Sequence, residues 1–387
     1  MMHIVWLASW YPGRRDAFTG DFIERHAQAV SRYAKVTVLA VLKDEFLPAG
    51  KVDIEKTAEG NLTVHRAYYG KSKWPAKIES VFSARQYFSL QQKLFKQIEA
   101  EEGRPAMVHV QVAMKAGLLA LLLKEKCQLP FVVTEHWTGY YPQSKPSIYE
   151  AGFIYRWLNK KILTKASLFL PVTKDLGETV SKNFVPVKYL PVPNVVDTDL
   201  FYHQPIQPEV FRFIHPSVMT YQKNPEGILK ACLQLKNKGY RFELQMIGND
   251  DALLVKQARE LGLLDQVVFF KPMIPYAAVA QAMRQSCALL LFSRFENLPC
   301  VVLEALCCGL PVVSSRVGGI EEVVDSTNGI LVKNEDVQQL TNAMQQMIDQ
   351  YSIYDQSAIA ERAASLYRYD IVGNQYLSVY KKILQNA

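Results

Sequence analysis

The chain has 387 residues, enough for two domains, and with 49% apolar and 21% charged residues it lies in the range of ordinary globular proteins, which excludes disordered and fibrous classes. A net charge of +7 suits anionic small molecules or an anionic membrane surface as well as nucleic acid. Nineteen glycines and nineteen prolines are too few for a collagen-like or low-complexity chain.

The chain opens on MMHIVWLASWYP, which has neither a basic leader nor a small-residue cleavage site, so no signal peptide is expected. Short apolar runs follow at His3–Ala8, Val36–Val41, Met107–Gln111, Phe131–Thr134 and Leu168–Val172, then at Arg212–His215, Glu243–Ile247, Val267–Phe270, Ala288–Phe292 and Pro311–Ser314. Several are nearly all apolar and β-branched, as strands covered on both faces are. Helical patterns lie between them at Asp21–Ala34, Asn224–Lys238, Asp250–Leu261, Tyr276–Arg284 and Glu335–Tyr351. Alternation of this kind predicts parallel sheets with right-handed crossovers, and the series runs twice. A Pro-rich segment, Pro191–Pro208, reads as a hinge, and Tyr376, Val379, Tyr380 and Leu384 mark an amphipathic helix over Tyr367–Leu384. The longest apolar run, Ala116 to Leu123, is far short of the ~20 residues that span a membrane. The six cysteines include no CxxC pair and read as reduced, buried thiols of a cytosolic protein.

Open parallel sheets bind ligands beyond the carboxyl ends of their strands, so unusual residues there carry the functional reading. After the run ending at Phe292 comes SRFENLPCVVLEAL. Pro299 suits a first helical position, and the amides of Asn297 and Leu298 just before it can hold a phosphate. Glu304 is the only charge between Cys300 and Val313. A carboxylate in so apolar a setting needs donors, which a ribose diol, a neighbouring arginine or a backbone amide would each supply. Glu296 stands at the same strand-to-helix turn, as a ligand group or a solvated loop acid. Lys223 precedes Asn224-Pro225, a helix-capping pair, and would add a point charge to an anion site or be a surface lysine. Gly20 lets backbone approach a ligand or only turns the chain. His136 follows Phe131–Thr134 and can donate to a hydroxyl, share a proton or bond a loop carbonyl. His109, inside a strand, reads as a satisfied core histidine. Gly318-Gly319 forms a second candidate close-approach loop. Asp197-Thr198-Asp199 lacks the third ligand of a metal site. Neither GxGxxG nor GxxxxGK[ST] occurs, and the basic residues do not interleave with aromatics as in nucleic-acid readers.

Taken together, the Glu-x7-Glu pair in FENLPCVVLEALCCGLPVV, KNPEGILKA at Lys223, VPNVVDTDLF at 192–201, TEHW at 134–137 and the N-terminal GDF resemble a family 4 (group 1) retaining glycosyltransferase. The resemblance spans nearly the whole chain. It implies the GT-B fold: two Rossmann-like doubly wound domains facing a cleft, with boundaries 1–195 and 196–366 and a C-terminal helix, 367–387, crossing back to the first. It implies a nucleotide-sugar donor, UDP- or GDP-linked, a glycan or lipid-linked acceptor in cell-surface polysaccharide synthesis, and no metal, cofactor or nucleic acid. It further implies that Lys223 holds the diphosphate, Glu304 the ribose, Glu296 with Asn297 and Leu298 the donor sugar and β-phosphate, and that Gly20 approaches the diphosphate. His136 would sit near the transferring sugar, and the base near Gly248, Met273 and Ile274. Many members carry an arginine five residues before the lysine, where this chain has Val218. The basic, Trp-bearing Lys71–Lys77 stretch suits a peripheral contact with an anionic cytosolic membrane face, or a solvated surface. A nucleotide-sugar epimerase on the same architecture and a non-catalytic nucleotide-sugar-binding scaffold are the competing readings.

Overall fold

The computed structural model describes residues 1–70, 76–207, 209–248 and 251–385. They form two compact units, Met1–Val195 with Tyr369–Ala387, and Val196–Arg368.

The first unit contains strands β1 (His3–Ala8), β2 (Lys35–Ala49), β3 (Val52–Glu59), β4 (Leu62–Gly70), β5 (Met107–Gln111), β6 (Phe131–Glu135) and β7 (Leu168–Pro171) in the order β3-β4-β2-β1-β5-β6-β7. Helices α1 (Asp21–Ser31), α2 (Ala76–Glu102), α3 (Gly117–Cys127), α4 (Phe153–Lys165) and α5 (Lys174–Asn183) connect them. Because successive strand residues point to opposite faces, β1 feeds two cores. Val5 and Leu7 pack into the layer with α2 to α5, and Ile4, Trp6 and Ala8 into the opposite layer with α1. Both faces are covered, which is why β1 reads as a continuous apolar run.

The second unit contains β8 (Phe211–Pro216), β9 (Phe242–Ile247), β10 (Val268–Lys271), β11 (Ala288–Leu291), β12 (Val312–Ser315) and β13 (Gly329–Val332), all parallel, in the order β10-β9-β8-β11-β12-β13. Its helices are α6 (Pro225–Asn237), α7 (Ala252–Glu260), α8 (Tyr276–Arg284), α9 (Cys300–Cys307), α10 (Val337–Asp349) and α11 (Gln356–Tyr367). The last helix, α12 (Tyr369–Gln385), belongs to the first unit. It buries Tyr369, Val372, Tyr376, Val379 and Tyr380, one helical stripe, against α1. Gly373 makes that packing possible, since a Cβ there would lie 2.4 Å from the Ala29 carbonyl.

In each sheet the chain runs outward one way and then the other from two central neighbours, β1 and β5 in the first unit, β8 and β11 in the second. The loops leaving such a pair diverge and open a crevice at the carboxyl edge. That edge carries every candidate described below.

Several expectations need correction. The first sheet is not wholly parallel: β3 runs antiparallel to β4 at its edge. Strands β3, β4 and β13 and helices α3, α4, α5 and α11 were not among the elements named from the sequence. Strand β3 has no fully buried residue, so it carries no apolar run, and the search for such runs passes over it. Because α11 occupies Gln356–Tyr367 and Arg368 is extended, α12 starts at Tyr369, not Tyr367. Pro299 is extended and caps α9 instead of forming its first residue. Cys127 is exposed and Cys300 half-buried, while the other four thiols are buried. The basic segment beginning at Lys71 lies, as far as Pro75, outside the described residues.

Candidate active site

In the second unit, the loops after β8 and β11 meet through a lysine and a glutamate. Asn224 takes a left-handed conformation (φ 52°) and accepts from the Gly227 amide with its side chain, and Pro225 opens α6. This start fixes the turn Tyr221–Lys223. The Nζ of Lys223 donates to Oε1 of Glu296 at 2.5 Å, and Nε2 of Gln222 donates to Oε2 of Glu296 at 3.2 Å and to the Phe295 carbonyl at 3.0 Å. The lysine side chain is 18% exposed and the glutamate 5%, so neither is a solvated surface charge. With so little water around it, a pair of this kind is held by geometry, and losing one partner strands the other.

Behind Glu296 the chain is pinned by the next loop. Gly318 has φ +54°, and a Cβ on it would lie 2.0 Å from the Glu296 carbonyl. The Gly319 amide donates to the Asn297 carbonyl at 3.0 Å. The Gly318-Gly319 close approach is therefore to protein backbone. Asn297 and Leu298 precede Pro299, the cap of α9, and both are buried.

Glu304 is buried on α9, and its Oε1 accepts from the Tyr276 hydroxyl at 2.7 Å. A tyrosine hydroxyl is a donor outside the alternatives drawn from the sequence. Tyr276 begins α8, directly after the Met273-Ile274 loop that leaves β10, and its ring lies 4.8 Å from that of Phe201. Gly248 directly follows β9 and has no room for a side chain, because a Cβ would lie 1.8 Å from the Ser217 carbonyl. Val218 is exposed. Arg294 does not stand in for an arginine there: it is committed to Glu335 at 2.8 Å, to the Tyr221 carbonyl and to the Tyr221 ring.

In the first unit, Gly20 caps α1 in the left-handed region (φ 78°), where a Cβ would lie 2.7 Å from the Trp10 carbonyl carbon and the Tyr11 nitrogen. Gly20→Ala should therefore destabilise this unit by about 2 kcal/mol or more, from the left-handed backbone and the clash together. A urea midpoint followed by tryptophan emission checks this.

His136 is the first residue beyond β6. Its Nε2 faces Oε1 of Gln111 at 3.3 Å, and the Gln111 amide nitrogen lies 3.2 Å from Nε2 of His109. His109 is also held by Tyr380 (2.6 Å) and Thr134 (2.7 Å), a core histidine satisfied on both nitrogens. Although part of His136 reaches the surface, its Nδ1 does not. Burial holds the ring well below the usual histidine range, and His26 and His109 push in the same direction. His136 is thus a neutral hydrogen-bonding imidazole.

Glu135, a residue absent from the sequence-based candidates, shapes the loop around His136. It accepts from the amides of Ala113 (3.1 Å), His136 (3.0 Å) and Trp137 (2.9 Å). Burial raises its pKa to about 7 against the lowering effect of those three N–H groups. Gln222 and Tyr276 were missed as well. Both adjoin named candidates, but no spacing rule links Tyr276 to a carboxylate 28 positions on.

Two family models match, glycosyl transferases group 1 over residues 199–365 and a glycosyl transferase 4-like domain over residues 25–195. Between them they take in most of both units, and the chain is a group 1 glycosyltransferase. Among its relatives, the putative teichuronic acid biosynthesis glycosyltransferase TuaC of Bacillus subtilis is 23% identical, covering 89% of this chain and 88% of its own. The alpha-D-kanosaminyltransferase of Streptomyces kanamyceticus is also 23% identical, over 74% and 80%. Sucrose-phosphate synthase from Thermosynechococcus elongatus superposes over 100% of both chains with a TM-score of 0.81 at 16% identity. Anabaena HepE, solved with UDP, superposes over 99% of this chain and 100% of its own at 0.71 and 16%. These neighbours establish the two-domain GT-B fold.

Proposed function

We propose that the chain transfers a sugar from a nucleotide-sugar donor, with retention of anomeric configuration and without a metal, to a glycan or lipid-linked acceptor. The observation that carries this reading is the Lys223–Glu296 pair at the divergence of the β8 and β11 loops. It sets a cation for a diphosphate beside a carboxylate for sugar hydroxyls. HepE among the structural neighbours is solved with UDP and with UDP-glucose, and TuaC is named as a putative teichuronic acid biosynthesis glycosyltransferase, which supports the donor class and the product class.

In this reading Glu304, with one oxygen on Tyr276, takes the ribose hydroxyls. The Met273-Ile274 loop and Gly248 border the base. Lys223 and the amides of Asn297 and Leu298 take the charge that develops on the diphosphate as the anomeric C–O bond breaks, which is electrostatic stabilisation needing no metal. Glu296 hydrogen-bonds the transferring sugar, and within the first unit the neutral imidazole of His136 and the Gly20 turn are the groups offered to ligand. No residue is assigned as a nucleophile.

The test is thermal stabilisation by UDP, GDP, ADP and CMP. A nucleotide at a hundred times its dissociation constant adds about 2.7 kcal/mol of stability. UDP or GDP should stabilise the protein, and Glu304→Ala should weaken that nucleotide by about 10- to 100-fold, as expected for a charged hydrogen bond to ligand. Stabilisation by none of the four would overturn the reading.

A further inference from the structure

The first unit exposes apolar side chains where a soluble surface would not place them. On α4, Phe153, Ile154 and Trp157 are each more than half exposed, as are Val81 and Phe82 in the second turn of α2. The sheet topology puts these two groups on one edge. Strands β4 and β6 are both parallel to β1 through their neighbours, so their carboxyl ends lie together. Helix α2 follows β4 and α4 follows β6, so each begins at that edge, and α3 packs between them. His136, one residue beyond β6, is on the same edge.

The charge on α4 is all of one sign. Its charged residues are Arg156, Lys160, Lys161 and Lys165, with no acid in the helix. Phe153, Ile154, Trp157, Lys160 and Thr164 are all exposed and follow helical spacing, so one stripe passes from apolar at the start to basic at the end. The Nζ of Lys161 lies 5.7 Å from the Trp157 ring centroid and 2.9 Å from Oε1 of Glu125, which holds it at the flank of the stripe. With Lys161 paired in this way, Arg156, Lys160 and Lys165 are the cations of α4 with no acidic partner among the described residues. Bulky apolar groups beside such cations match an interface of acyl chains and anionic headgroups. A second copy of this chain would bring Arg156, Lys160 and Lys165 against their own counterparts, three like charges against three, which disfavours self-association through the stripe.

We propose that the amino-terminal half of α4, with the start of α2 on the same sheet edge across α3, is a membrane-docking surface for anionic lipid, seating Phe153, Ile154 and Trp157 among the headgroups. The inference rests on the reading above in one respect: it delivers a lipid-linked acceptor to the edge that carries His136.

Co-sedimentation of the full-length protein with vesicles of equal parts phosphatidylglycerol and phosphatidylcholine tests it. Binding is expected to these vesicles, to weaken severalfold in high salt, and to be at least about tenfold weaker on pure phosphatidylcholine, since each cation near the surface is worth about 1 kcal/mol. A triple variant, Phe153→Ser with Ile154→Ser and Trp157→Ser, should lose binding by about tenfold or more while keeping its thermal shift with nucleotide. In a second measurement, brominated lipid should quench the emission of the wild type more than that of Trp157→Phe, which keeps the apolar surface. Undiminished vesicle binding by the triple variant, equal quenching, or a concentration-dependent dimer abolished by the triple variant with no vesicle binding would each overturn the proposal. Loss of the nucleotide shift in the wild type would instead overturn the donor reading and leave the docking surface standing.

Discussion

Glu296→Gln should lower turnover by about 100- to 1000-fold, the usual cost of removing one preorganised polar group from a charge-developing site. It should leave nucleoside diphosphate affinity unchanged or tightened. The two halves of this expectation come from one geometry. Without ligand, Nζ of Lys223 is 2.5 Å from Glu296, whose other oxygen is held by Gln222. Gln at position 296 keeps the size and one acceptor but removes the charge. The ammonium, 18% exposed, is left without its counter-ion, and an incoming diphosphate supplies one. Lys223→Ala should do the reverse to binding, losing about tenfold or more in affinity for the nucleotide, the worth of a charged hydrogen bond. Steady-state donor kinetics separate the cases: for Glu296→Gln, kcat falls with KM flat or lower, the signature of an interaction made mainly in the transition state. If Glu296→Gln instead weakened nucleotide binding as much as Lys223→Ala and left kcat alone, Glu296 would be only a brace for the lysine.

The pair illustrates what one-dimensional reading reaches. Each residue was legible alone, because a strand's carboxyl end is a short, local signal: an apolar run that stops, then a polar group, then a helix start. Their mutual contact was not, since it depends on β8 and β11 being neighbours, and strand order is a property of the whole sheet. The same limit explains Glu304. Its isolation among apolar residues announced a buried carboxylate in need of a donor, and it is buried. The donor, Tyr276, comes from a different helix and no pattern points to it. Strands covered on both faces were found to within a residue or two at most ends because burial makes them continuously apolar. Strand β2 was cut short at Val41, since its outer part turns polar where it leaves the core and runs on to Ala49. His109 could be read as a core residue from its place inside a strand. Glu135 was passed over because a charge at the last position of a strand resembles any solvated loop acid. Only the fold brings the amides of Ala113, His136 and Trp137 around it.

Acidification should unfold the first unit earlier than its carboxylates alone would require, and His26 is the residue to follow. Burial pushes its pKa from 6.5 down to about 4. Arg25 contributes in the same direction, and the bond to Asn194 opposes. The folded state keeps the ring neutral while the unfolded chain takes up a proton below pH 6.5. Stability present at neutral pH is therefore lost as pH falls toward 4, by roughly 3 kcal/mol for this ring. His109 and His136 are lowered in the same sense, and His136 lies 5.4 Å from His26 between ring centroids, so charging one opposes charging the other. Glu135 acts oppositely. With a folded pKa of about 7 it binds its proton more readily in the folded state, so it adds stability as pH falls from 7 toward 4.5. Three rings outweigh one carboxyl, and the net slope is a loss. All five tryptophans fall within residues 1–195 of the sequence, and the four described ones lie in this unit, so urea midpoints read by tryptophan emission report on it. His26→Gln retains an amide donor for Asn194 and cannot charge. It should be less stable than wild type at pH 8 by about 1 kcal/mol, from imperfect fit. The gap should close and then reverse between pH 6 and about 4, the window set by the unfolded and folded ring. Glu135→Gln should steepen the acid loss instead. Parallel wild-type and His26→Gln curves across that window would show that the ring is not held neutral in the folded state.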